Sequence, residues 1–101
     1  MGNEPTREWF KSLSKVERQL IGEDIKAAQI GWPLGEPMVK KMEPGIWEIR
    51  TDLENRIARV FVTKGPDKLV ILHGFIKKTQ KTPLAELEIA RKRLKTVKKG
   101  N

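Results

Sequence analysis

The sequence predicts an α+β fold, in which an N-terminal helical hairpin packs on a small antiparallel β-sheet and a C-terminal helix follows. Three observations support this prediction. Apolar residues before residue 31 recur at helical spacing, and three segments rich in β-branched residues are joined by short turns. The last segment has residues typical of a helix start and a helix end. A chain of 101 residues is long enough for one domain and too short for two of ordinary size. We therefore expect residues 1–101 to form a single domain.

The first two elements are predicted to be helices over about residues 6–13 and 15–30. In the second, apolar residues recur at helical spacing, at Val16, Leu20, Ile21, Ile25 and Ala28. Ser14 and Glu17 have the spacing of a capping box, which favours a helix start at residue 15. Gly31 and Pro33 are typical of a helix end. The stretch Trp32–Gly45 is rich in Pro and Gly, so we expect it to be a loop.

Three strands are predicted next, over Ile46–Thr51, Arg56–Thr63 and Lys68–Ile76, and their short connections favour an antiparallel meander. We expect one face of the sheet to pack on all the helices, through Ala58, Val60, Val62, Val70, Leu72, Gly74 and Ile76. The other face is then exposed and carries Glu48, Arg50, Ile57, Arg59, Phe61, Ile71, His73, Phe75 and Lys77. The final helix is predicted from Thr82 as N-cap and Pro83 at its first position, with Gly100 as its C-terminal cap.

Composition excludes several classes of protein. The chain has no cysteine and a single histidine, which excludes disulfides and makes a metal site improbable. No apolar run approaches the ~18–20 residues that a membrane span needs, so we expect a cytoplasmic protein with no membrane partner. Twenty-one Lys and Arg residues against 13 Asp and Glu give a net charge of +8, which favours a polyanionic partner such as nucleic acid.

The sequence offers no nucleophile–base pair and no Gly-rich phosphate loop. An enzyme built on this chain would therefore depend on cations, which suits cofactor-free RNA cleavage by the neighbouring 2′-OH. Structural alternatives stay open for the same residues. Arg50 and Arg59 can instead pair with Glu48 and Glu54 on the sheet surface, and His73 can be a half-buried structural residue. The basic run from residue 91 to residue 99 is either a solvated helix face or a phosphate contact.

Five strings carry a family resemblance, and they are Leu34–Met42, Pro44–Arg50, Arg56–Phe61, Leu72–Pro83 and Glu86–Arg93. They resemble the phage-derived HigB-like toxins of the RelE/ParE superfamily, which belong to type II toxin–antitoxin systems. The resemblance implies a RelE-like fold and ribosome-dependent mRNA cleavage with no cofactor. It also implies a HigA-like helix-turn-helix antitoxin that forms a hetero-oligomer with the toxin.

The resemblance also implies roles for individual residues. Arg50 and Arg59 would stabilise the negative charge of the phosphate. Lys77 or Lys78 would stabilise either the transition state or the leaving group. The predicted catalytic residues are Arg50, Arg59, Lys77, Lys78 and His73, the last as the single imidazole available as a base. The predicted RNA-binding residues are Lys40, Lys41, Arg56, Phe75 and Lys81. The alternative is a member without RNase activity, either a gyrase-poisoning ParE-like toxin or a degenerate protein that only binds its antitoxin.

Overall fold

A computed structural model describes residues 4–32, 35, 38–77 and 84–99. In these residues the chain forms the helices α1 (Glu4–Lys11), α2 (Lys15–Ile30) and α3 (Leu84–Lys99) and the strands β1 (Val39–Glu43), β2 (Ile46–Asp52), β3 (Ile57–Lys64) and β4 (Leu69–Lys77). The strands pair antiparallel in the order β1-β2-β3-β4. The predicted α+β class and meander are confirmed, and the architecture is compatible with a RelE-like fold.

Within the helical hairpin, α2 begins and ends where the sequence predicts, whereas α1 covers Glu4–Lys11 instead of residues 6–13. The Ser14 hydroxyl accepts a hydrogen bond from the Glu17 backbone N–H, and the Glu17 carboxylate accepts one from the Ser14 N–H, both at 3.1 Å. This capping box satisfies two N–H groups that a helix start leaves without partners. At the other end of α2 the Gly31 N–H donates to the Ala27 carbonyl. None of the helices in the described part of the chain is long and apolar enough to cross a membrane.

The stretch predicted to be a loop contains the edge strand β1, so that prediction was wrong. Lys40 lies opposite Glu48 of β2, and Lys41 lies opposite Trp47. The turn between β1 and β2 places Gly45 at φ +86°, a left-handed conformation that favours glycine. The prolines and glycines around the strand conceal it in the sequence. Its stability comes from pairing with β2 rather than from local propensity.

The sheet is covered by helices on both faces, which corrects the prediction that all helices lie on one face. The hairpin covers a core formed by Leu13, Ile21, Ala28, Val39, Ile49, Ala58, Val60, Val62 and Leu69. On the opposite face α3 covers a second core formed by Ile46, Phe61, Leu72, Phe75, Leu87, Ala90 and Leu94. The central strands are apolar on both sides, and each side needs a layer to bury it.

A bulge in β4 changes which side chains face which core. Phe61 lies opposite His73 whereas Val62 lies opposite Ile71, so Leu72 is an extra residue in the pairing. Leu72 therefore packs in the α3 core and Ile71 packs against the hairpin core, each on the face opposite to the predicted one. Simple alternation along the sequence does not reveal such an insertion.

Gly74 is a point of close approach between α1 and the sheet. A Cβ atom at Gly74 would lie 2.3 Å from Cζ3 of Trp9, a separation that real Cβ atoms essentially never show. We expect Gly74→Ala to lower the free energy of unfolding by about 2 kcal/mol in urea denaturation, because the indole ring must move.

Gly22 in α2 provides the matched control, because nothing lies within 4 Å of the position of its Cβ atom. Gly22→Ala should raise the free energy of unfolding by about 1 kcal/mol through helix propensity. Equal effects of the two substitutions would contradict the close packing of Trp9 on β4.

Candidate functional site

Four of the predicted site residues meet on the α3 face of the sheet, beyond the end of the core that α3 covers. Arg50 of β2 lies directly opposite Arg59 of β3, and Arg59 lies opposite Phe75 of β4. Because side chains alternate along a strand, Lys77 emerges on the same face two residues after Phe75. Lys40 of β1 reaches this face through its register with Glu48. We name Lys40, Arg50, Arg59 and Lys77 the cation row.

A buried carboxylate lies among these cations. The Oε1 atom of Glu48 accepts a hydrogen bond of 2.6 Å from Nη1 of Arg59, and the two residues are 3% and 8% exposed. Within the described residues, Glu48 Oε2 and Arg59 Nε are buried and have no hydrogen-bond partner. A single hydrogen bond therefore joins the two groups, and each group has one further buried polar atom that could form another.

The pKa of Lys77 depends on burial and on all the charged residues of this cluster. Burial lowers the pKa of the Lys77 ammonium below its usual range, and the positive charges of Arg59, Lys40 and Arg50 lower it further. The carboxylate of Glu48 acts in the opposite direction on the same pKa. The protonated form of Lys77 is thus less favourable here than in water, and an anion bound beside it would restore that form.

Arg50 is the most exposed guanidinium of the cation row. Its side chain is 35% exposed, and its Nε donates to Asp52 Oδ1 at 2.9 Å. Arg59 lies directly opposite it on the neighbouring strand. Like charges in directly opposite positions destabilise a sheet. The carboxylates of Asp52 and Glu48, which pair with these two guanidinium groups, offset part of the repulsion, and a bound polyanion would offset the rest.

His73 and Phe75 are held against α3 instead of joining the cation row. Nη1 of Arg93 donates to the Leu72 carbonyl at 2.8 Å and lies 3.1 Å from Nδ1 of His73. A guanidinium has only donors, so Nδ1 accepts and the ring proton lies on Nε2, which donates to Glu86 Oε1 at 2.5 Å. Phe75 is buried at 6% exposure and stacks on the His73 ring.

The remaining predicted residues lie in other surroundings. Arg56 binds the Glu17 carboxylate through two nitrogens, and that contact lowers the pKa of Glu17. Lys41 lies over the Trp47 ring, on the sheet face opposite to Lys40. Lys78 and Lys81 lie outside the described residues, as do the predicted caps Thr82 and Gly100 and the predicted first helical residue Pro83.

The sequence indicated one of these features in part and did not indicate another. Glu48 was expected on the exposed face, and its pairing with an arginine was one of the open alternatives; the structure shows that pairing with Arg59. The contacts of His73 with Glu86 and Arg93 were not foreseen, because they join β4 to a helix that was expected elsewhere. Among the described residues no group of three or more His, Cys, Asp or Glu side chains is arranged to hold a metal ion.

The Glu48–Arg59 pair gives a prediction about stability. Arg59→Ala should lower the free energy of unfolding by about 3 kcal/mol, because it leaves the Glu48 carboxylate buried without its partner. The double variant Glu48→Leu with Arg59→Met should recover most of that loss, since it removes both charges and fills their space. Urea denaturation of the two variants measures the difference. A double variant as unstable as Arg59→Ala would contradict this explanation.

The chain was also compared with known proteins. Residues 8–95 match the family described as phage-derived protein Gp49-like. The matched range begins within α1, ends within α3 and includes every strand described above. A search of curated proteins found no match. The chain therefore belongs to the Gp49-like family of phage-derived proteins, a RelE/HigB-like toxin family of toxin–antitoxin systems.

Proposed function

We propose that this chain is a toxin that cleaves mRNA on the ribosome and that the cation row is its catalytic site. The observation that carries the proposal is the placement of Arg50 directly opposite Arg59, with Lys40 and Lys77 beside them. Such a group of like charges reduces the stability of the sheet. A polyanion with closely spaced phosphates would offset that cost, and RNA has this chemistry.

The reaction in this proposal needs only functional groups that RNA and protein supply. The ribose 2′-oxygen attacks the neighbouring phosphorus, the bond to the 5′-oxygen breaks, and a 2′,3′-cyclic phosphate and a 5′-hydroxyl result. The 2′-OH gives up one proton and the departing 5′-oxygen gains one. Negative charge accumulates on the phosphorane between these steps, and fixed cations stabilise that charge.

We assign each residue of the cation row a role in the reaction from its exposure to solvent and, for Lys77, from its lowered pKa. The exposed side chain of Lys40 and the half-buried one of Arg50 are suited to contact phosphate oxygens. Arg59 lies beneath them, held by Glu48, and adds positive potential from a region of low dielectric constant. The lowered pKa of Lys77 makes its ammonium a better proton donor than an ordinary lysine, which suits it to the departing 5′-oxygen.

Other predicted residues have supporting roles in this proposal. His73 has a hydrogen-bond partner at both ring nitrogens and acts as a positioning residue that holds α3 on the sheet. Lys78 directly follows Lys77 in the sequence and is proposed as a further phosphate contact. The toxin family implies an antitoxin partner. We propose a HigA-like helix-turn-helix protein in that role, and the cytoplasm as the site of action.

Two adjacent lysines on opposite faces of β1 provide a matched test. Lys40→Gln should slow cleavage of ribosome-bound mRNA and reduce the salt dependence of RNA binding by about one unit of log–log slope, because it removes one phosphate contact. Lys41→Gln makes the same change on the Trp47 side and should leave both quantities near those of the unaltered protein. Cleavage gels and fluorescence anisotropy at several salt concentrations measure them. Equal loss in both variants would contradict the assignment to one face.

Expression in a bacterium tests the activity itself. Induction of the unaltered chain should stop growth and cut messages that are being translated. Lys77→Gln should lower the cleavage rate about a hundredfold, because it removes a cation from the transition state. Primer extension on cellular mRNA measures the cuts. Growth arrest with intact messages and altered DNA supercoiling would reject RNA cleavage and favour gyrase poisoning instead.

A further inference from the structure

A groove of about 340 Å³ lies between α2 and the end of β2 and is distinct in character from the cation row. Its lining residues are Leu20, Glu23, Asp24, Met38, Arg50, Thr51 and Asp52. Leu20 and Met38 make part of the groove apolar, and the acidic side chains lie around them. Thr51 is buried, and its hydroxyl has no hydrogen-bond partner within the described residues.

The groove continues an apolar surface that the fold does not use. Val16 and Leu20 lie one turn apart on α2 and are 65% and 38% exposed. Ile21 and Ala28 are the buried residues by which the same helix enters the hairpin core. Two large aliphatic side chains on the outer side of a helix gain nothing for the monomer. Because Leu20 also lines the groove, the exposed pair and the groove form one continuous surface.

The charge of the groove is opposite to that of the protein as a whole. Three acidic residues, Glu23, Asp24 and Asp52, line the groove with one basic residue, Arg50, in a chain whose net charge is +8. Glu23 receives only a long hydrogen bond of 3.4 Å from Gln19, and Asp24 has no ion pair within the described residues. An RNA backbone would be repelled here, whereas a segment with Lys or Arg beside apolar side chains would be attracted.

We propose that this groove binds an amphipathic helix of the antitoxin, with aliphatic side chains against Leu20 and Met38 and Lys or Arg against Glu23 and Asp24. Helix-in-groove recognition has this combination of an apolar floor and a charged rim. The proposal rests on the proposed toxin function only in requiring an antitoxin, and it does not require that the toxin cuts RNA.

Arg50 connects the groove to the cation row. Arg50 is one of the residues that line the groove, its guanidinium pairs with Asp52, and it lies directly opposite Arg59 on the neighbouring strand. A basic side chain that takes Asp52 as its partner releases Arg50 from that pair and moves positive charge next to the cation row. The antitoxin would then disturb the catalytic cations from the side, without covering them.

Charge reversal in the groove tests the proposal. The probe is the antitoxin produced from the gene adjacent to the toxin gene, and calorimetry measures its affinity for the purified toxin variants. Glu23→Lys and Asp24→Lys should each weaken binding about tenfold or more, because each places a like charge opposite the basic segment. Leu20→Asp should have a similar effect through the apolar floor.

Glu8→Lys is the matched control, because Glu8 lies on the exposed surface of α1 and its ion pair with Lys11 is long, at 4.0 Å. It makes the same charge change and should leave the affinity unaltered. Circular dichroism melting of each variant separates lost binding from lost folding. mRNA cleavage by Glu23→Lys should equal that of the unaltered chain, so failure of this proposal and failure of RNA cleavage give different results.

Three results would overturn the proposal. The first is an affinity unchanged in all groove variants that remain folded. The second is binding lost instead in Lys40→Glu and Lys77→Glu, which would place the antitoxin on the cation row. The third is no complex with the product of the adjacent gene.

Discussion

The ion pair between Glu48 and Arg59 is the constraint on which the arrangement of this molecule depends. It joins β2 to β3 on the face that α3 also covers, and both of its residues are buried. Neither charge reaches water freely, so each requires the other. The negative charge of Glu48 reduces the repulsion among the cations around it. The cations of the row can therefore lie close to one another on the same face.

The two apolar cores supply most of the stability of the fold. The α3 face of the sheet can therefore hold cations that repel one another. The hairpin core and the α3 core bury the two sides of the sheet with aliphatic and aromatic side chains. Apolar burial on both sides contributes far more to folding than the repulsion between neighbouring cations removes. A cluster of like charges is therefore tolerated, and an anionic ligand gains from the relief of the repulsion when it binds.

The sequence predicted the features that depend on local chemistry. The capping box at Ser14, the three helices, the strands β2 to β4 and the shared face of the cations at residues 50, 59 and 77 follow from spacing and alternation. What it did not predict depends on distant pairing. β1 forms because β2 offers a partner, and the bulge at Leu72 exchanges the faces of neighbouring side chains in β4.

The placement of the site residues has the same explanation. Lys40 and Lys41 are equivalent in the sequence, yet the pairing of β1 puts them on opposite faces of the sheet. His73 was expected on an open surface, but its partners, Glu86 and Arg93, come from a helix that covers that surface. Both differences arise because strand register and helix placement are tertiary properties, and a single sequence leaves them undetermined when both faces of a strand are apolar.

The two proposed binding surfaces would let one small protein serve two partners of opposite charge. The cation row is suited to a polyanion and the groove beside α2 to a basic segment, and Arg50 and Asp52, which form an ion pair, both line the groove. A charged partner bound at either surface would change the electrostatic potential at that ion pair. If both proposals hold, binding at one surface would be coupled to binding at the other, and such coupling must be reciprocal: an antitoxin that weakens RNA binding would itself be bound less tightly when RNA is present.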